Sequence, residues 1–170
     1  MGIILGLDPG SQYTGYGILK SHQDKIEYLS HGVLQLGGRA SFAARLHELS
    51  GQLGRVMEQW RPTDVVVEKV FLGPNVDSAF KLGHARGVCL AMTAQFGCQL
   101  HEMAPRAVKK AVTGYGAASK DQVALAVSSW LRLDTTGIRH DATDALALAV
   151  ARALVNESET RLKQMMMENP

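Results

Sequence analysis

The sequence has little of what would mark a secreted, membrane-bound or thiol-based protein. Two of its 170 residues are cysteine, and neither Cys89 nor Cys98 has a metal-type or redox-type neighbour. That pattern points to buried, reduced thiols. No apolar run is long enough to span a bilayer, so membrane insertion is not expected. The run Ile3–Leu7 is too short for a signal-peptide core, and Gly6 stands where a myristoylation signal wants Ser or Thr. A cytoplasmic location is the expectation. The six histidines form no paired zinc spacing, and there is no Gly-x-Ser-x-Gly elbow. Gly15-Tyr16-Gly17 and Gly114-Tyr115-Gly116 continue into neither a dinucleotide fingerprint nor a P-loop. No internal repeat and no low-complexity linker is visible.

What is present suffices for one well-buried core and one domain, since 46% of the residues are hydrophobic. The net charge of +2 is too small to require a polyanionic partner, but its distribution is uneven. Between Met103 and Lys120 stand Arg106, Lys109, Lys110 and Lys120 with no acid among them. On charge alone this is a solvated helix face. It gains meaning only if acids elsewhere need an anionic substrate.

The N-terminal third reads as strands. Ile3–Leu7 ends at a Pro-Gly turn, and Gly15–Leu19 and Ile26–Leu36 look like antiparallel partners joined through Ser21–Lys25. Phe42, Leu46, Leu49, Leu53, Val56 and Trp60 keep helical spacing up to Pro62, and Thr63–Glu68 returns as a buried strand. A helix between two strands of one sheet implies a crossover, hence a mixed α/β architecture. Phe71–Asp77 reads as a loop, and Asp77 or Ser78 can cap a helix to about Gln95. Its small residues Ala79, Gly83, Gly87 and Ala91 would pack either on the sheet or on a symmetric partner helix. Cys98–Met103 adds a strand, and Pro105 fits the first turn of the helix that follows. Ser119 caps Lys120–Leu131, and Leu133–His140 connects to a final helix over Asp141–Leu154. The domain is drawn over 1–156, with 157–170 expected as a polar, flexible tail.

Four acids stand where regular elements meet the core. Asp8 ends one apolar strand and Glu68 another, and residues just beyond strand ends face the crevice where α/β proteins bind ligands. Asp141 and Asp144 are three apart, so both project from one face at the start of a helix, where acids often serve only to cap. His140 beside them reads as a surface histidine. Four carboxylates in one crevice repel unless a cation joins them. Two Mg²⁺ ions roughly 3.5–4 Å apart would supply that charge while activating water and stabilising a leaving oxygen, the chemistry of phosphodiester cleavage. The alternative is four separate solvated acids.

The same residues carry a resemblance. Ile4-Leu5-Gly6-Leu7-Asp8-Pro9-Gly10 with Thr14-Gly15-Tyr16-Gly17, then Glu68-Lys69-Val70-Phe71 with Asn75–Ala79 and Lys81–Gly87, then Asp141-Ala142-Thr143-Asp144-Ala145-Leu146-Ala147, resembles the RuvC family of bacterial Holliday junction resolvases. The matches fall in the family's order over nearly the whole chain. The resemblance implies a ribonuclease H-like fold with a mixed five-stranded sheet flanked by helices. It also implies a homodimer and Mg²⁺-dependent paired nicking of four-way junction DNA, with Mn²⁺ able to substitute. The family's metal-binding, catalytic acids map onto Asp8, Glu68, Asp141 and Asp144. Some members carry histidine at the third of these places; here it is Asp141, so His140 does not inherit the role. DNA contacts map onto Lys109, Lys120 and the junction-facing Phe71, with Arg86, Arg106 and Lys110 beside them. A branch-migration motor of the RuvA and RuvB type is the implied partner.

Two other classes fit parts of the sequence. A module that clamps branched DNA without cutting gains nothing from acids facing phosphates. An ATP-using protein of the actin-like kind would explain Asp8-Pro9-Gly10 with Thr14-Gly15, but the chain lacks a second copy of the motif and the length for another lobe.

Overall fold

The computed structural model describes residues 2–22, 25–37, 40–69 and 76–168, the side chains of 160–164 and 167–168 aside. Phe71 lies outside them, as does the middle of the turn expected between the second and third strands.

Strand β1 (Gly2–Asp8) pairs antiparallel with β2 (Tyr13–His22), which pairs antiparallel with β3 (Lys25–Gln35). On its other side β1 runs parallel to β4 (Asp64–Glu68), and β4 runs parallel to β5 (Gln99–Met103). The order is β3-β2-β1-β4-β5. The expected mixed five-stranded sheet is therefore present, and the crossover α1 (Phe42–Trp60) links its antiparallel and parallel halves. Ser41 starts that helix by accepting from the Ala44 amide, and left-handed Arg61 ends it just before Pro62.

Both faces of the sheet are covered, which is why Val65, Val66 and Val67 can follow one another in a strand. Leu5, Leu7, Ile18, Val65 and Val67 face α1 and α2 (Val76–Gln95). Ile4, Leu19 and Val66 face α5 (His140–Glu168), which is backed by α3 (Pro105–Thr113) and α4 (Lys120–Leu131). Period-two alternation then puts Gly6 and Asp8 of β1, and Glu68 of β4, on the α5 face.

Two expectations change, and one open choice is decided. Helix α2 begins at Val76, so Asp77 lies inside its first turn, paired with Lys81 rather than capping. The small stripe of α2 does not pack on the sheet: Ala85, Cys89 and Met92 do, while Gly83, Gly87 and Ala91 face outward. Finally, α5 does not stop near Leu154; the segment expected as a flexible tail is helical to Glu168. The thiols are free; Cys89 is buried, as expected, whereas Cys98 is half-buried. Burial pushes the Cys89 thiol up to about 12, so it is inert.

Candidate active site

Helix α5 can bring Asp141 and Asp144 to the strand ends because little stands between it and the sheet. Gly6 and Gly17 are direct partners across β1 and β2. A Cβ on Gly6 would overlap the Ala145 carbonyl, and one on Gly17 would stand 2.9 Å from the Leu146 Cα. The facing stretch of α5 is itself small, with Ala142, Ala145 and Ala149 buried. Backbone thus packs on backbone.

Asp8 is the point on which the acids converge. Burial and the negative charges of Asp144, Glu68 and Asp141 push its carboxyl up to about 7, with Lys120 opposing them. Burial and Asp144 likewise raise Glu68, against the pull of Lys120 and Lys109. Four acids distant in sequence therefore share one crevice with two lysines. The loop after Asp8 is fixed from both ends: Arg45 of α1 donates through Nη1 to the Ser11 carbonyl (3.1 Å), and the buried Thr14 hydroxyl meets Gly10 (3.4 Å).

The carboxylates are gathered but not preassembled. Among the described residues no three His, Cys, Asp or Glu side chains lie close enough together to hold a metal ion. Two of the four are turned to cations instead: Asp144 lies 3.5 Å from the Lys120 ammonium, and Asp141 accepts from Arg139 Nη2 at 3.1 Å. The donor set nevertheless fits a hard divalent ion. All four donors are carboxylates, and Asp8 is raised by burial first and then by the other three acids, which Lys120 does not fully offset.

The other anticipated residues fall into two groups. Arg106, Lys109 and Lys110 share one side of α3, opposite the buried Val108 and Val112. The Arg106 stem packs against Gly116. Lys120 opens α4 behind a reciprocal capping box between Ser119 and Gln122, and its side chain is 73% exposed. Arg86 is different. Its Nε donates to the Glu68 carbonyl (3.1 Å) and its fork pairs with Glu102, so it braces the ends of β4 and β5. His140 is exposed at the first position of α5.

Two residues near the acids carried no obvious sequence signal. Arg139 sits in the connector before α5, with its guanidinium carbon 4.0 Å from the centre of the Tyr13 ring. Three of the strand glycines did carry one: Gly6, Gly15 and Gly17 all fall on one face, the mark of a close backbone approach.

Comparison with known proteins places the chain. The family profile described as crossover junction endodeoxyribonuclease RuvC matches residues 4–152. A protein of that name from Bdellovibrio bacteriovorus is 48% identical over 151 residues, covering 89% of each chain. The structure of Thermus thermophilus RuvC superimposes with a TM-score of 0.84 at 28% identity, over 93% of this chain and 97% of that one. The same protein in complex with its Holliday junction substrate gives 0.87 at 28% identity, over 94% and 98%.

Proposed function

This chain belongs to the RuvC family of crossover junction endodeoxyribonucleases, and we propose that it resolves four-way DNA junctions by symmetric nicks in two opposed strands, in recombination and repair. The observation that carries the reading is the convergence of Glu68, Asp141 and Asp144 on Asp8 at the end of β1. Solvated, unrelated acids would not be half-buried at adjoining strand ends with the main chain of Asp141 packed on the cross-strand partner of Asp8.

Nucleases of this family are metal-dependent. Asp8, Glu68, Asp141 and Asp144 would hold Mg²⁺, two ions per site, with Mn²⁺ able to substitute. When bound, the ions supply activation of water and neutralisation of charge at the scissile phosphate. The chain's own part is positioning. The strand ends fix Asp8 and Glu68, and the α5 start fixes the other two. Lys120 and Lys109 draw a phosphate onto acids that would otherwise repel it. Arg106 and Lys110 extend this track along α3, and Phe71 stacks on an unpaired base at the crossover.

Two strands must be cut, and one chain offers one set of acids, so the reading requires a homodimer. The outward face of α2 supports it: Leu46, Val76, Phe80, Gly83, Gly87 and Val88 are among the residues lining an open apolar groove of about 900 Å³. Apolar surface of this kind is costly to leave in water, and small residues let a second helix approach. A branch-migration motor of the RuvA and RuvB type is the further partner. The location is cytoplasmic; among the described residues no helix is long and apolar enough to cross a membrane.

Purified protein with a labelled junction and Mg²⁺ tests the proposal. Paired nicks and ligatable duplex products are expected, and Asp8→Asn should bind without cutting. A junction left intact by the unaltered protein, or cut at normal rate by the variant, refutes it.

A further inference from the structure

The cations invoked so far reach the acids from α3 and α4. Lys109 and Lys120 both bear on Glu68 of β4, and Lys120 also on Asp8 and Asp144. On the opposite side of β1 lies β2, which opens at Tyr13. There the Arg139 guanidinium carbon sits over the Tyr13 ring, 4.0 Å from its centre, and the group gives Nε and Nη2 to Asp141 Oδ2 at 3.3 and 3.1 Å.

This arginine is held but not used up. Its side chain is 54% exposed. A guanidinium has five N–H donors, and two are engaged here by one carboxylate oxygen. Among the described residues no other acceptor takes the rest. The ring beneath it and the two bonds to Asp141 hold the fork in place, so less conformational freedom remains to be lost when an oxyanion meets the open edge. Planar, bidentate donation to a phosphate is what this group does best.

The electrostatics call for a cation at this place. A DNA strand crossing four carboxylates is repelled at its middle, so cations beside the acids must hold it there. We propose that Arg139, seated on Tyr13, is a phosphate-binding site for the DNA strand on the β2 side of the acids, in addition to the lysines of α3 and α4. The proposal rests on the reading that the acids act on DNA. It differs from a role in which Arg139 merely tethers Asp141 at the start of α5.

Salt-dependent binding of a labelled four-way junction, measured without metal so that nothing is cut, separates the two. Arg139→Gln should weaken binding by about fivefold, equally for junctions of different sequence, and should lower the slope of log affinity against log salt by about 0.9. Arg139→Lys should keep the slope and lose part of the affinity, because an ammonium does not lie flat on a ring. Tyr13→Leu should weaken binding with the slope retained. Lys109→Gln serves as the reference contact. If Lys109→Gln lowers the slope while Arg139→Gln leaves affinity and slope unchanged, the site is overturned and the nuclease reading stands. If the unaltered protein does not bind the junction, the nuclease reading fails and the site with it. Should Arg139→Gln melt early, Tyr13→Leu decides, and unchanged affinity in it overturns the proposal.

Discussion

Gly15 lies directly beneath the main chain of Asp141. It is also the cross-strand partner of Asp8. A Cβ on Gly15 would collide with the Asp141 carbonyl group. The distance between the acid on β1 and the acids on α5 is therefore set by a missing side chain.

Gly15→Ala must push the start of α5 outward. Overpacking of this kind costs about 1–3 kcal/mol. We expect a protein that still folds and still binds junction DNA but cuts it at least tenfold more slowly, because Asp141 and Asp144 retreat from Asp8. Denaturant melts with single-turnover cleavage check this, and wild-type cleavage by Gly15→Ala would contradict it.

The raised carboxyl of Asp8 makes the metal-free protein pH-sensitive. Its folded value, about 7, lies above the ordinary 3.8. Below about pH 4 both folded and unfolded chains hold the proton, and the contribution to stability is complete. As pH rises through about 7 the folded protein must give the proton up, and the contribution is lost, on the order of 4 kcal/mol. Glu68 acts in the same direction. Metal-free protein should melt higher at pH 5.5 than at pH 8, with a flatter profile in Asp8→Asn. Adding Mg²⁺ at pH 8 should recover stability in the unaltered protein and far less in the variant. Superimposable melting profiles would refute the assignment.

The groove on α2 predicts the state of assembly. Gly87→Lys would place a charge on the face lined by Phe80, Gly83 and Val88, with nothing within 4 Å of its Cβ to clash with in a single chain. The variant should sediment as a folded monomer and the unaltered protein as a dimer. Its nicks should fall in one strand or the other without pairing. A variant that remains dimeric would place the interface elsewhere.

At the far end of β4 from Glu68, Asp64 meets His101 Nε2 at 2.8 Å and the Arg152 fork at 3.8 Å. Arg152 is buried, and its other arm reaches Glu159 at 3.5 Å. Asp64→Ala leaves a buried cation with one partly exposed partner, a loss of about 3 kcal/mol. Thermal melts should show that loss, while the metal dependence of cutting stays as in the unaltered protein. No shift in melting would mean that Glu159 alone suffices.

Much of this was legible because strands and helices have fixed periods. Alternation alone places Asp8 with Gly6, and Glu68 with Val66, on the α5 face, and a spacing of three puts Asp141 beside Asp144. Period does not say which way a face turns. The small residues of α2 formed a clear stripe, yet only the packing of Ala85, Cys89 and Met92 decided that the stripe looks outward. The extension of α5 to Glu168 was hidden because an exposed helix needs no apolar repeat. The engagement of Asp144 by Lys120 and of Asp141 by Arg139 depends on rotamers, which leave no trace in residue order.

The reciprocal bonds between Ser119 and Gln122 have a consequence for Lys120. A long, solvent-washed side chain on a fraying helix would sweep a broad volume. Here the hinge of that sweep is nailed down, so the ammonium swings on a short radius from a fixed pivot. The positive end of the α4 dipole works against a cation at that pivot and in favour of any anion arriving there. In the proposed nuclease, Lys120 would leave Asp144 for an incoming phosphate by turning a few bonds, with the helix beneath it standing still.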